Sequence, residues 1–500
     1  MNLKNILLGM SVACGLTACQ STASYEDYLV VTGPEIQQDQ AWQKVAETLA
    51  ERHQAQIVSY DGNLANLLPV LKEHRPRYVA LVEKPEQLGK QYVMELNRLS
   101  RQVDDDIYAD FLWGIITGYD ADAAQRMVDH AAEPLVVKDA MSTITELESA
   151  KWFDRYAWLD DHREGVWGEK KSPADKVVYH QLPLTPKKMR NGKMRDRADA
   201  QEEMQKFYEF YETYNPDLIV TAAHATERNL EMPFSLGNVK PKDGKLYMDL
   251  AAGPRFLPQT GKRKIYLPIG NCLIGNVNNT KESMAIAWMN HGNAATFVGY
   301  VVPTWYGRNG WGGLKYWLTT PGRYTAAEAF YLNQQDMLYQ LAQWGDCMTT
   351  MQFPFGDKKY MELGEKMVTD SLQSECTLDQ LGFFHDRDVL AFYGDPKWNV
   401  RLQEIAQEND FTVTNEIKGK QCIVTITTHE NFSLERMQGD HFKEEHVLDL
   451  PFNYFFPQRL NHPRLAEGQE WEAAVDENFL LVYHPNFEAG KTYQIVLDLD

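Results

Sequence analysis

The chain has 500 residues, 44% apolar and 24% charged, which exceeds one ordinary hydrophobic core and predicts two or three globular domains. A formal charge of −20 excludes nucleic acid as a partner and argues against an electrostatic hold on anionic lipid.

The chain opens with Lys4, an apolar run over residues 6–16, and Leu16-Thr17-Ala18-Cys19. The run is too short to span a bilayer permanently. The pattern resembles a bacterial lipoprotein signal with its lipobox, which implies removal of residues 1–18 and acylation of Cys19. The acyl methylenes would then hold the protein at a membrane. Gln20 stands where an Asp would imply retention at the inner membrane, so a cell-envelope location at the outer membrane is expected. Export leaves Cys347 and Cys376 as a pair that an oxidising compartment would allow to bridge, with Cys272 and Cys422 free. No cysteine and histidine cluster has zinc spacing; no metal or other cofactor is called for, and a structural calcium is left open.

After a polar tether over residues 19–26, Tyr28-Leu-Val-Val-Thr reads as a strand and residues 39–53 as an amphipathic helix with Asp39 as N-cap. Residues 56–60 and 78–83 give further strands, with a helix over 64–73 between them, and residues 111–117 another, followed by a helix over 121–132. Strands alternating with helices at this spacing predict βαβ units and a mostly parallel sheet over residues 27–140. Charge, Pro and Gly weaken the pattern between 141 and 200, which reads as a connector or a surface insertion. A second α/β unit follows over residues 201–396, with helices at 202–214, 281–291 and 325–344 and a strand at 294–302. From residue 397 to 500 the texture changes to short alternating runs such as Gln421-Cys-Ile-Val-Thr-Ile-Thr and Tyr493-Gln-Ile-Val-Leu-Asp-Leu. That is the pattern of a small β-sandwich, with Cys422 in its core.

Two apolar runs end on residues with usable chemistry. Asp217-Leu-Ile-Val-Thr-Ala-Ala leads to His224, and Lys264-Ile-Tyr-Leu-Pro-Ile-Gly-Asn leads to Cys272. Both read as buried strands, and ligands of open α/β sheets gather at the carboxyl ends of strands. A Cys and a His at neighbouring ends supply a thiolate nucleophile and an imidazole base. The competing reading is a structural Cys and a satisfied core His.

Several blocks in order resemble the gingipain-type family of cysteine peptidases, relatives of the caspases and legumains. They are Arg75-Pro-Arg-Tyr-Val-Ala-Leu-Val, residues 108–128, Pro216 through His224, Ile269-Gly-Asn-Cys272, residues 282–299, and Asp388-Val-Leu-Ala-Phe-Tyr-Gly-Asp-Pro396. The resemblance implies a caspase-like α/β fold of two sub-domains, a mostly parallel sheet flanked by helices, and an immunoglobulin-like β-sandwich after it. It also implies that Cys272 attacks a peptide carbonyl, that His224 acts as base and then acid, and that the N–H groups of Cys272 and Ala225 form the oxyanion hole. Three positions depart from the family: Ala225 replaces Gly, Asn271 replaces Ala, and Ile115 replaces Arg. Glu227 is the nearest carboxylate in sequence for a third catalytic residue.

The segment Pro303-Thr-Trp-Tyr-Gly-Arg-Asn-Gly-Trp-Gly-Gly is expected to be a loop whose Trp305, Tyr306 and Trp311 wall the substrate pocket. Asp104, Asp105, Asp106 and Asp110 read either as an acidic pocket floor or as a solvated charge run. His291-Gly292 falls at a helix end, where a His commonly caps. The expected protein is a lipid-anchored extracytoplasmic cysteine endopeptidase acting on a protein or peptide. The alternative is an inactive relative that binds a protein or glycan at the envelope.

Overall fold

Twelve strands form one central sheet: β1 (Tyr28–Thr32), β2 (Gln56–Ser59), β3 (Tyr78–Val82), β4 (Leu112–Ile116), β5 (Asp139–Ser142), β6 (Arg155–Leu159), β7 (Val166–Lys170), β8 (Val178–Gln181), β9 (Leu218–Val220), β10 (Lys264–Leu267), β11 (Ala294–Tyr300) and β12 (Leu390–Gly394). The computed structural model describes residues 27–184, 189–190, 193–194, 201–406, 410–442 and 448–500. Cys19 and the tether therefore lie outside the described residues. Across the sheet the strand order is β2-β1-β3-β4-β12-β11-β10-β9-β5-β6-β7-β8. All residues of β1, β3, β9, β10 and β11 are buried, as their near-continuous apolar runs require of strands covered on both faces.

Ten strands of the sheet form two parallel blocks that run in opposite directions, and β7 and β8 add an antiparallel edge. Strands β2, β1, β3, β4 and β12 form one block; β11, β10, β9, β5 and β6 form the other. The reversal falls between β12 and β11, which pair antiparallel. The join of β12 to β4 is narrow, with Tyr393 aligned on Ile115. Gly114 lets the two backbones meet there, since a Cβ on it would lie 2.1 Å from Gly394 O.

Helices cover the sheet: α1 (Gln40–His53), α2 (Ala121–His130), α3 (Glu202–Tyr214), α4 (Met284–Asn290), α5 (Arg308–Thr319) and α6 (Ala326–Trp344). Their starts carry the expected caps. Asp39 accepts from the Ala41 N–H, Asp120 from Ala123, and Thr325 with Glu328 closes a capping box on α6.

The stretch over 141–200, read as a connector, is corrected by the structure: β5 ends in it and β6, β7 and β8 lie within it. These strands carry aromatic and charged residues in place of long aliphatic runs. Tyr156 stacks on Trp158, and the Glu169 carboxylate accepts from Tyr214 Oη at 2.5 Å. A five-stranded antiparallel sheet over residues 225–256 is inserted between β9 and β10.

The expected loop at 303–313 becomes helical from Arg308. Gly307 turns the chain into the helix at φ 85°, while the glycines inside the helix serve close packing. A Cβ on Gly310 would lie 2.5 Å from Ile269 O, and one on Gly313 would meet the Phe330 ring at 2.2 Å.

The α/β unit reaches past residue 396, because residues Val400–Leu402 pair with Leu135–Val137. The C-terminal unit then has two antiparallel sheets of four and three strands around Phe411, Cys422, Val424, Phe452, Leu480 and Ile495. It docks on α6, where Tyr483 Oη donates to Asp336 (3.0 Å). Cys422 is a core residue, as expected, and Cys347 and Cys376 are free thiols packed on one satellite cluster.

Candidate active site

Strands β9 and β10 are hydrogen-bonded neighbours, with Leu218, Ile219 and Val220 aligned on Ile265, Tyr266 and Leu267. Both run in the same direction, so His224 and Cys272 leave the sheet at the same edge. They line one open cleft of about 620 Å³, a volume typical of ligand sites. Asp161 after β6 and Thr304 after β11 line it as well, so the cleft spans the carboxyl ends of the second block. The His224 ring is exposed and Cys272 half-buried. Among the described residues, the thiol's hydrogen bond goes to Thr304 O (3.5 Å) and not to the His224 ring.

The turn that presents Cys272 is held from both sides. Leu273 sits at φ 58° and donates its N–H to Val302 O at 3.0 Å. A leucine in the left-handed region is strained by about 1–2 kcal/mol, and the Val302 contact helps to hold it. Asn271 is fully buried. Its Nδ2 donates to Ala223 O (2.7 Å), its Oδ1 accepts from Thr221 Oγ1 (2.6 Å), and its backbone carbonyl accepts from Thr304 Oγ1 (3.1 Å).

Ala225 opens the inserted sheet, opposite Leu230. The Glu231 N–H donates to His224 O (2.9 Å), so residues 224 and 231 form a hydrogen-bonded pair. Alternation along the ladder then turns the Ala225 N–H away from Leu230. Ala225 is an extended strand residue and not among the positive-φ positions, so its Cβ imposes no backbone strain.

Other expected residues lie elsewhere. The Glu227 carboxylate accepts from Asn278 Nδ2 (3.4 Å) and is not bonded to His224. Tyr306 is buried, donates to Asp379 at 2.6 Å and packs against Phe383, so it is no wall of the cleft. Trp311 supports the nucleophile turn from behind, close to Gly270, and packs on Phe442. Trp305 is exposed and leans on Tyr306 and His385, outside the cleft lining. Asp104 and Asp106 meet Asp476 of the C-terminal unit, away from the cleft. His291 ends α4 and accepts from the Leu246 N–H (3.1 Å), a structural role.

The cleft walls come from a segment that carried no signal in the sequence. Met232, Pro233, Phe234, Ser235 and Leu236, in the turn between the second and third strands of the inserted sheet, line it beside His224. Phe234 and Leu236 stand 42% and 39% exposed, and Phe234 is held at φ 53°. Asp161 and Glu231 are the cleft's carboxylates; Asp161 accepts from the Thr145 N–H and Oγ1 at 3.1 and 2.9 Å. Burial pushes the Asp161 carboxyl above its ordinary value.

No protein-family model matches the chain, and no curated protein does. Among solved structures it is similar to one described as "Structure of Protease", at 9% identity over 81% of this chain and 85% of that one, with a TM-score of 0.40. It is similar to the Arg-specific cysteine proteinase gingipain R, at 9% identity over 96% and 92%, TM-score 0.40. It is also similar to the complex of Porphyromonas gingivalis RgpB pro- and mature domains, at 10% identity over 95% and 93%, TM-score 0.34.

Proposed function

We propose that the protein is a cysteine endopeptidase that cleaves peptide bonds with Cys272 and His224. The observation that carries this reading is their delivery by neighbouring parallel strands into one open cleft. Cys272 Sγ attacks the scissile carbonyl carbon as its proton passes to the His224 imidazole. The oxyanion faces the N–H groups of Cys272 and Ala225, donors worth roughly 3–4 kcal/mol each in hydrolases. His224 then protonates the leaving amine as the C–N bond breaks, and water, deprotonated by His224, releases the acyl group from sulfur. The resting thiol points to Thr304 O, so substrate entry must bring the thiol and the ring together. Catalytic hydrogen bonds often tighten only with substrate bound.

The test is labelling of the intact protein with a peptidyl acyloxymethyl ketone, the adduct located by mass spectrometry. Adduct at Cys272 that disappears in His224→Ala is expected. Labelling at Cys272 no faster than at Cys376, and unchanged in His224→Ala, sinks the proposal. The Thr304-bonded thiol favours one second reading, a silent relative whose cleft binds a protein or glycan, and that null result is what it requires.

The cleft has no Lys or Arg among its lining residues and two carboxylates, which suits a positively charged side chain beside the scissile bond. Asp161→Asn is expected to lower kcat/KM for Lys- or Arg-containing peptides about tenfold, with neutral peptides unaffected. We also propose that lipid on Cys19 holds the protein at the cell envelope. An alkyne fatty acid fed to producing cells should label the protein, and Cys19→Ser should remove both label and membrane fractionation.

A further inference from the structure

The residue before the proposed nucleophile grips the residue before the proposed base. Asn271 Nδ2 donates to Ala223 O at 2.7 Å, joining the two turns that follow the paired strands β9 and β10. The amide cannot be reversed, because Ala223 O only accepts and must face the NH2 group. Its other end is fixed in turn. Oδ1 accepts from Thr221 Oγ1, and that hydroxyl lies 3.0 Å from Tyr266 Oη in β10. The backbone of Asn271 is also tied, through Thr304 Oγ1, to the residue whose carbonyl receives the Cys272 thiol. Tyr266, Thr221 and Asn271, all buried, thus form with the partly buried Ala223 and Thr304 a connected brace beneath the two reactive side chains.

We propose that Asn271 is a positioning residue that sets the reach of His224 to Cys272, and with it the fraction of encounters in which the imidazole can take the thiol proton. The inference rests on the peptidase reading and deepens it. It accounts for a polar side chain that is fully buried at a position with no access to substrate. A side chain confined there cannot act on the substrate; it acts through the two turns it joins. Displacing reacting groups by about 1 Å costs on the order of 100-fold in rate.

The experiment is the pH dependence of Cys272 alkylation by iodoacetamide from pH 5 to 9, in the full chain, with adducts assigned by mass spectrometry and melting followed in parallel. Wild type, His224→Ala, Asn271→Ala and Asn271→Leu are compared. Leucine keeps the branched shape and heavy-atom count of Asn271 and removes both side-chain hydrogen bonds. The wild-type profile is expected to show His224-dependent reactivity below pH 7. Both Asn271 variants should lose about tenfold or more of it and approach the His224→Ala profile, with kcat for peptides falling more than KM rises. If wild type depends on His224 but Asn271→Leu keeps its profile, Asn271 merely fills space; the positioning proposal fails and the peptidase reading stands. If wild type is indifferent to His224, both fail together. Should the Asn271 variants melt below the assay temperature, Thr221→Val carries the test by freeing the amide oxygen from behind. An unchanged profile there overturns the proposal, and a partial shift toward His224→Ala supports it.

Discussion

The two parallel blocks of the sheet use the carboxyl ends of their strands in opposite ways. In the N-terminal block the groups at those ends are spent on one another. Glu83 follows β3, is buried, and accepts from Tyr60 Oη at 2.7 Å, while Lys84 pairs with Asp39 at 2.8 Å. Gly33 after β1 lets the Glu83 carboxylate press against the backbone, since a Cβ there would lie 2.8 Å from its oxygen. In the second block, His224 and Cys272 stand at the same kind of edge uncommitted to each other, above a brace that holds both ends of the Asn271 amide, with the thiol turned to Thr304 O. Architecture alone therefore does not make a site. What distinguishes the blocks is whether the strand-end side chains pair with one another, as Glu83 with Tyr60 and Lys84 with Asp39 do, or stand apart in one cleft, as His224 and Cys272 do.

Emptying the second block should have the largest effect. Cys272→Ala should abolish peptide hydrolysis, a loss of roughly 10⁴-fold or more, with little change in melting temperature because the thiol is half-buried and makes one long hydrogen bond. Retained hydrolysis would place the nucleophile elsewhere.

The converse holds for the N-terminal block, where Glu83 should govern stability and leave catalysis alone. Burial pushes its carboxyl up to about 7 from an ordinary 4.5, so the folded protein holds a proton that the unfolded chain has released. Its stabilising contribution is therefore complete below about pH 4.5 and is lost as pH rises through about 7. The full swing is about 3 kcal/mol, an upper bound for a group this buried. Glu83→Gln should flatten the fall in denaturation midpoint between pH 5 and 8 and leave kcat/KM within about twofold of wild type. A steep fall persisting in Glu83→Gln would assign the pH dependence to other groups. Asp110 is the first of these, pushed up to about 9 by burial and then by Asp104.

Much of this contrast could be read from the sequence, and the part that could not has a physical cause. The aliphatic runs of β1, β3, β9, β10 and β11 announce strands buried on both faces, and they carry His224 and Cys272 with them. β6 to β8 were hidden because Tyr156, Trp158 and Trp167 do the work of aliphatic residues on short, partly charged strands. The start of α5 looked like a loop because glycines at 310, 312 and 313 usually bend a chain; here they admit Ile269, Arg308 and Phe330. Asn271 looked like a departure from a smaller residue, and only the pairing of two distant turns shows what its amide holds. Trp305, Tyr306 and Trp311 signal an aromatic wall in the sequence without forming one in the fold, for the same reason. Local composition signals that aromatic rings are present but not which side of a backbone they occupy.

The smallest expected effect sharpens that last point. Phe234 and Leu236 flank the cleft with exposed rings and methyls, and Phe234 keeps a left-handed backbone that disfavours a side chain. Phe234→Gly deletes the ring and relieves that backbone, so a purely structural role predicts unchanged or improved catalysis with altered stability. A substrate-binding wall predicts the reverse pattern. Losing about 1–2 kcal/mol of apolar contact raises KM five- to thirty-fold for peptides with a large apolar side chain near the scissile bond. Peptides with Gly or Ala there should be affected far less, and kcat should hold, because the contact is made equally in ground and transition states. Leu236→Ala should repeat the effect at lower amplitude, and Trp305→Ala should not, since Trp305 lies outside the cleft lining. If Trp305→Ala raised KM more than Phe234→Gly, the wall would belong to the segment after β11 and not to the inserted sheet.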